Sequence, residues 1–313
     1  MIYFFSYDII IHNSLAYESI IEEYHRAGFT ILILSDVKDE FEMAYSMFKP
    51  ISPYHVKHLL KIGKPIETKK VKMYHPLSFD LPTNIKLPEM NFYGFSLKEL
   101  GREEWSLITE SASEGETIRL ILNTCKNLNP SDGLYSFMHS IESSVVGKKE
   151  KKKLKADWKN FGLSVTPATA KSLQDVVSYM LPFKKDYFLL PDNSPFKLDW
   201  NKILNDNESY HVFTSKWIGG KIKDKKIREL CILALFNSII RNKDYAKKPL
   251  LICIPEIRFL VPFKAEGYKK FLAQGMKANL SIMRSQGKGM GGIFDSQIWS
   301  DCDDNVRNSS TFT

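Results

Sequence analysis

At 313 residues, 43% of them hydrophobic and 12% aromatic, the sequence can bury a large core as one big domain or two. Its longest apolar runs, such as CILALF and LLICI, fall far short of the roughly 18 residues a membrane span needs. The start lacks a basic segment with a small-residue cleavage site, so the expectation is a cytoplasmic protein with no membrane partner. The net charge of +8 looks like a nucleic-acid signal, yet residues 148–155, KKEKKKLK, hold six lysines and one glutamate and so most of the excess. Lys148, Lys149, Lys151, Lys152 and Lys153 read either as a solvated connector or as a patch for a phosphate backbone.

In chain order, MIYFFSYDIII reads as a strand. NSLAYESIIEEYHRAG reads as a helix with Ser14 as N-cap and Gly28 as its stop, and FTILILSD as a short buried strand. That strand-helix-strand unit suits a parallel sheet. Residues 71–95, with Pro76, Pro82 and Pro88, read as extended connection after one short strand. Residues 96–185 read as helical, opening on a Ser96/Glu99 capping box, with TPATAKSLQDVVSYMLPF repeating the signal. Alternation then returns: YHVFTSKW a strand, KIRELCILALFNSIIRNK a long amphipathic helix, PLLICIPE a strand, YKKFLAQGMKANLSIMRSQG a helix and GMGGIFDSQ a strand. The expected fold is therefore α/β. A parallel sheet has helices on both faces, with core parts at 1–95 and 186–313 and a helical insertion at 96–185.

Cys125, Cys231, Cys253 and Cys302 are scattered, without zinc-ligand spacing, and read as reduced buried thiols. His55 and His58 stand at i, i+3 with no further ligand nearby. In parallel sheets ligands gather at the carboxyl ends of strands, which here points to Asp36, Glu256, Ser296 and Gln297. A carboxylate there can polarise a water, and an amide beside it can orient that water or sense a terminal phosphate. An acid after a buried strand is also a common helix cap.

The segments ILILSDVKDEFEMAY and PLLICIPEIRFLVPF, the latter followed by KKFLAQGMKANLSIMRSQGKGMGGIFDSQIW, resemble the HerA/FtsK superfamily of P-loop ATPases, including the conjugation coupling proteins. The resemblance covers roughly residues 13–76 and 205–312 and implies a RecA-like core using ATP and Mg2+. It also implies a homo-oligomer, a hexameric ring that translocates DNA, with a nuclease as a further partner. By the same resemblance Glu256 falls on the catalytic glutamate and Gln297 on the sensor glutamine, with Ser296 where threonine is usual. Arg284 falls on the basic stretch that contacts the neighbouring subunit. Asp36, with Lys38 and Glu40, matches a further signature. Asn13 and Ser14 fall where the phosphate loop ends, and Ser14 and Glu256 at the metal positions.

Two departures stand out. Pro255 replaces the aspartate that supports magnesium, and its side chain has no oxygen. No G-x-x-x-x-G-K-[ST] loop exists: Gly63-Lys64, Gly147-Lys148, Gly220-Lys221 and Gly287-Lys288 precede Pro, Lys, Ile and Gly. The expectation is a degenerate or truncated motor domain that hydrolyses ATP poorly or not at all. The alternatives are a non-catalytic, DNA-associated scaffold subunit and a P-loop-like kinase or transferase.

Overall fold

The computed structural model describes residues 2–6, 13–35, 70–77, 90–110, 115–145, 189–215, 225–286, 289–296, 299–308 and 311–312. Strand β1 (Ile2–Ser6) precedes helix α1 (Asn13–Arg26), β2 (Thr30–Ser35) and β3 (Val71–Pro76). β4 (Met90–Tyr93) and β5 (Phe95–Ser96) lead to helices α2 (Arg102–Thr109), α3 (Glu116–Lys126) and α4 (Leu134–Val145). After β6 (Leu189–Leu190) come α5 (Trp200–Leu204), β7 (Tyr210–Thr214), α6 (Lys225–Asn242) and β8 (Leu250–Ile254). α7 (Tyr268–Gln286), β9 (Met290–Ser296), α8 (Asp304–Asn308) and β10 (Thr311–Phe312) complete the order.

Eight strands form one sheet in the order β10-β1-β9-β8-β2-β7-β3-β4, and every pairing in it is parallel. β2 and β8 are buried at every position, as strands covered on both faces must be. On one face Ile21 of α1 packs with Ile31, Ile33, Val212, Leu251 and Ile293. On the other, Leu32, Leu34, Phe213, Ile252, Ile254 and Phe294 meet α2, α6 and α7. Alternate residues of each strand thus feed two cores, the expected α/β arrangement with helices on both faces.

Local chemistry explains most boundaries. α1 ends as Gly28, at φ +87°, donates to His25 O at 2.9 Å while Phe29 N donates to Tyr24 O at 3.1 Å. That is a Schellman ending, sealed by the Tyr24 and Phe29 rings at 4.9 Å. Ser96 and Glu99 make one bond of a capping box, Ser96 N donating to Glu99 Oε2 at 2.8 Å, while Glu99 N donates to the Ser96 carbonyl at 2.9 Å and closes only a turn. Helix α2 starts six residues later, at Arg102, where Gly101 N donates to Glu104 Oε2 at 2.9 Å. The box therefore sat one turn too early in the sequence reading, because a second glutamate at the right spacing follows.

Two further expectations change. Residues 90–93 form β4 rather than plain connection, pairing with β3. Helix α6 is not amphipathic: Lys226, Ile227 and all residues from Glu229 to Ile240 are buried. It lies between the sheet and helices α2 and α7, so its polar residues bond internally, with Asn279 Nδ2 donating to Asn237 Oδ1 at 2.5 Å. The lysine run, TPATAKSLQDVVSYMLPF and the His55/His58 pair lie outside the described residues. Among the described residues no helix is long and apolar enough to cross a membrane, and the four cysteines are free and buried.

Candidate active site

β1 lies between β9 and β10, so the chain leaves β1 toward β2 on one side and leaves β9 toward β10 on the other. These two connections run in opposite directions and on opposite faces of the sheet, which opens a crevice above the carboxyl ends of the strands, here at β1 and β9. Ser6 and Ser296, the last residues of these strands, are register partners. Helix α1 begins at Asn13, so its free backbone N–H groups belong to the same edge. The side chains of Asn13 and Ser14 are not among those described, and Asp36 and Gln297 lie outside the described residues.

β8 contributes the acid. Ile254 pairs with Phe294, and two residues beyond each stand Glu256 and Ser296, both buried. Pro255 turns the chain out of the sheet and Glu256 takes a left-handed backbone, φ 51° and ψ 48°, opening a 3-10 turn over Ile257–Phe259. A non-glycine residue held there costs on the order of 1–3 kcal/mol and persists only where surroundings enforce it. The enforcement is visible. The Glu256 side chain is 6% exposed and its Oε2 accepts from Arg258 Nε at 2.9 Å. Arg258 in turn stacks over Phe259, at 4.7 Å, and reaches Asp301 Oδ2 at 3.4 Å.

A second anchor holds the far end of the turn. Lys269 of α7 donates to Phe259 O and to Glu229 Oε1 of α6, the latter at 2.5 Å, and Glu229 is wholly buried. The segment after β8 is also stitched to the segment after β9: Phe263 N donates to Asp301 O at 2.7 Å and Asp303 N to Val261 O at 2.9 Å. Between them lies Cys302, its thiol pushed up to about 11 by burial, against the Ser296 hydroxyl.

Of the sequence candidates, Glu256 and Ser296 stand at the carboxyl ends of the neighbouring strands β8 and β9, the edge where α1 begins. Arg284 stands apart. It is exposed in the last turn of α7, about 22 Å along the helix axis from Lys269 and beside the amino end of β9. Sequence reasoning missed Arg258, Asp301, Lys269 and Ser6; only the E-x-R spacing in PEIRF carried a signal.

Among the described residues no three His, Cys, Asp or Glu side chains are grouped to hold a metal. Pro255 offers no side-chain oxygen and the Glu256 carboxylate is engaged by a guanidinium, so the described side chains do not fit a magnesium shell. A separate buried cluster lies at the amino ends of β3 and β7. Tyr74 Oη meets His211 Nδ1 at 3.0 Å, His211 Nε2 meets Asp206 O at 3.1 Å, and Lys72 bonds Asp206 Oδ2 at 2.6 Å. Burial brings His211 down to about 4. Burial also opposes the Asp206 charge, but the Lys72 bond and His211 outweigh it and hold that carboxyl at about 2.

No family model and no curated protein matches the sequence. Among solved structures, VirB4 of Thermoanaerobacter pseudethanolicus aligns over 97% of this chain and 70% of its own, at 9% identity and TM-score 0.51. The bacterial conjugative coupling protein TrwB in an unbound form aligns over 85% of this chain and 63% of its own, at 12% identity and TM-score 0.42. The plasmid coupling protein TrwB with a non-hydrolysable ATP analogue aligns over 87% and 65%, at 14% and 0.40. The chain thus spans about two thirds of the length of these proteins. At such identity the VirB4 likeness speaks to fold alone, and with the strand order above it gives the conclusion: this chain has a RecA-like P-loop NTPase α/β fold.

Proposed function

We propose that this chain is an ATP-binding motor domain of the HerA/FtsK kind whose turnover, as the sequence stands, is slow. The observation that carries the reading is the packing of the turn after Glu256 against β9, whose last residue is the register partner of the last residue of β1. Glu256 accepts a proton from, and orients, the attacking water; Ser296 and Gln297 flank it; Asn13, Ser14 and Asp36 border the nucleotide. The loop between Ser6 and Asn13 has neither glycine nor lysine, so phosphate charge is poorly neutralised there. The resemblance extends the reading to a DNA translocase or helicase, a cytoplasmic hexameric homo-oligomer with a nuclease partner. In it Lys148 to Lys153 meet the phosphate backbone and Arg284 meets the neighbouring subunit. Residues 96–185 are then an insertion between core parts 1–95 and 186–313.

The test is a nucleotide titration followed by ATP turnover with and without magnesium, on the full chain and on Glu256→Gln. Binding of ATP, with slow turnover that Glu256→Gln removes, is expected. A chain that binds no nucleotide overturns the reading. Salt-dependent DNA affinity without nucleotide binding would instead identify the non-catalytic scaffold subunit, because phosphate contacts weaken steeply as salt rises.

A further inference from the structure

We propose that Arg258 is the positioning residue of this edge: it orients the Glu256 carboxylate and, through Asp301, ties that orientation to the tail of β9. The inference rests on the reading of Glu256 as the working carboxylate. Four observations carry it. The Arg258 Nε–Glu256 Oε2 bond, at 2.9 Å between side chains 12% and 6% exposed, is a charge-assisted contact largely shielded from water. The guanidinium is itself placed, stacked on Phe259 and within 3.4 Å of Asp301. Phe259 is held through its carbonyl by Lys269, whose charge is balanced by buried Glu229. Asp301 is held by its backbone bond to Phe263, within the Pro262–Cys302 bridge that also brings Cys302 to Ser296.

The consequence is geometric. Glu256 follows a proline and sits in a backbone region that side chains avoid, so the strand alone does not aim its carboxylate. Arg258, two residues on, supplies the aim, and Asp301 supplies the reference point on the neighbouring strand's tail. A displacement of the β9 tail moves Asp301, then Arg258, then the carboxylate. Misplacing a reacting group by about 1 Å costs on the order of 10²-fold in rate, so a positioning contact here is read in kcat rather than in substrate affinity.

Two measurements test this, the first independent of catalysis. In the 15N-labelled full chain, the Arg258 Nε–H resonance, assigned by its loss in Arg258→Lys, is expected to be protected from exchange and to shift in both Glu256→Gln and Asp301→Asn. A resonance unmoved by Glu256→Gln overturns the proposal whether or not the protein hydrolyses ATP. In the second, Arg258→Met is expected to lower the Glu256-dependent turnover roughly tenfold or more with KM for ATP within about twofold. Arg258→Lys is expected to recover much of that loss, and Asp301→Asn to fall between. An Arg258→Met rate equal to the parent's, or a loss that Arg258→Lys does not relieve, overturns it. If the parent chain shows no turnover, the ATPase reading fails and the resonance alone decides the role of Arg258.

Discussion

His211 is 1% exposed, and its neighbours from the packed elements are Tyr74 and Lys72 of β3 and Asp206 before β7. With its pKa lowered by burial from 6.5 to about 4, the folded protein keeps the ring neutral where the unfolded chain protonates it. Stability therefore falls as pH drops from about 6.5 toward about 4, by at most about 3 kcal/mol from this group. Asp206, held at about 2, loses its contribution only below its ordinary 3.8, outside that window. Glu104, raised by burial, acts in the opposite sense, and comparing two proteins that share it cancels it. Urea midpoints measured from pH 7 to 4.5 should drop steeply for the parent chain and less for His211→Gln; parallel curves would remove His211 from the account. Legibility at this scale was uneven. Glu256 could be named because an acid just beyond a run of five apolar residues is a local pattern, and Ser296 because it follows the strand segment GGIFD. Arg258 and Asp301 could not, since their pairing joins the tails of two strands that meet only in the folded sheet.

Among elements, α6 shows how tertiary context overrides periodicity. Its polar residues at Lys226, Glu229, Asn237 and Ser238 suggest a solvated face, but α2 and α7 cover that face and give most of these groups partners. Glu104, raised by desolvation and countered chiefly by Arg241, caps α2 and faces α6 at the same time. The price of such close layering falls on Gly275 of α7. A Cβ there would stand 2.9 Å from Leu233 Cδ1 and 3.3 Å from Glu103 Cβ, so α6 and α2 both press on that position. Gly275→Val should overpack the three-helix contact and cost about 1–3 kcal/mol, while in Gly275→Ala the better helix propensity, about 1 kcal/mol, offsets part of the clash. Chemical denaturation of the two variants checks this, and a Gly275→Val protein as stable as the parent would show that the layer can spread. β1, β2, β3, β7, β8 and β9 and the helices α1, α6 and α7 were legible because their runs are long or bounded by Gly, Pro and Ser, whereas the two-residue strands β5, β6 and β10 were not. β4 was not, since four residues beside Pro88 carry too short a pattern.

For the whole molecule, alternation of strand and helix announced a parallel sheet, and the sheet is parallel throughout. The order of its strands was not legible, because nothing local states that β9 inserts between β1 and β8. That order decides where chemistry can occur, since it places the ends of β1 and β9 side by side. It also bears on assembly of the fold. β3 pairs with β4 and β8 with β9, strands near one another in sequence, whereas β1 pairs only with residues 290–296 and 311–312. Pairings so distant in sequence form late, because a long loop must close before they are rewarded. Pulse-labelled hydrogen exchange during refolding should therefore protect β3 with β4, and β8 with β9, before β1; equal rates would contradict this order. The strand IYFFS is then a sticky apolar ribbon that waits, unpaired, for most of the chain to be made. For that interval it is a segment exposed to aggregation, as unpaired apolar strands are.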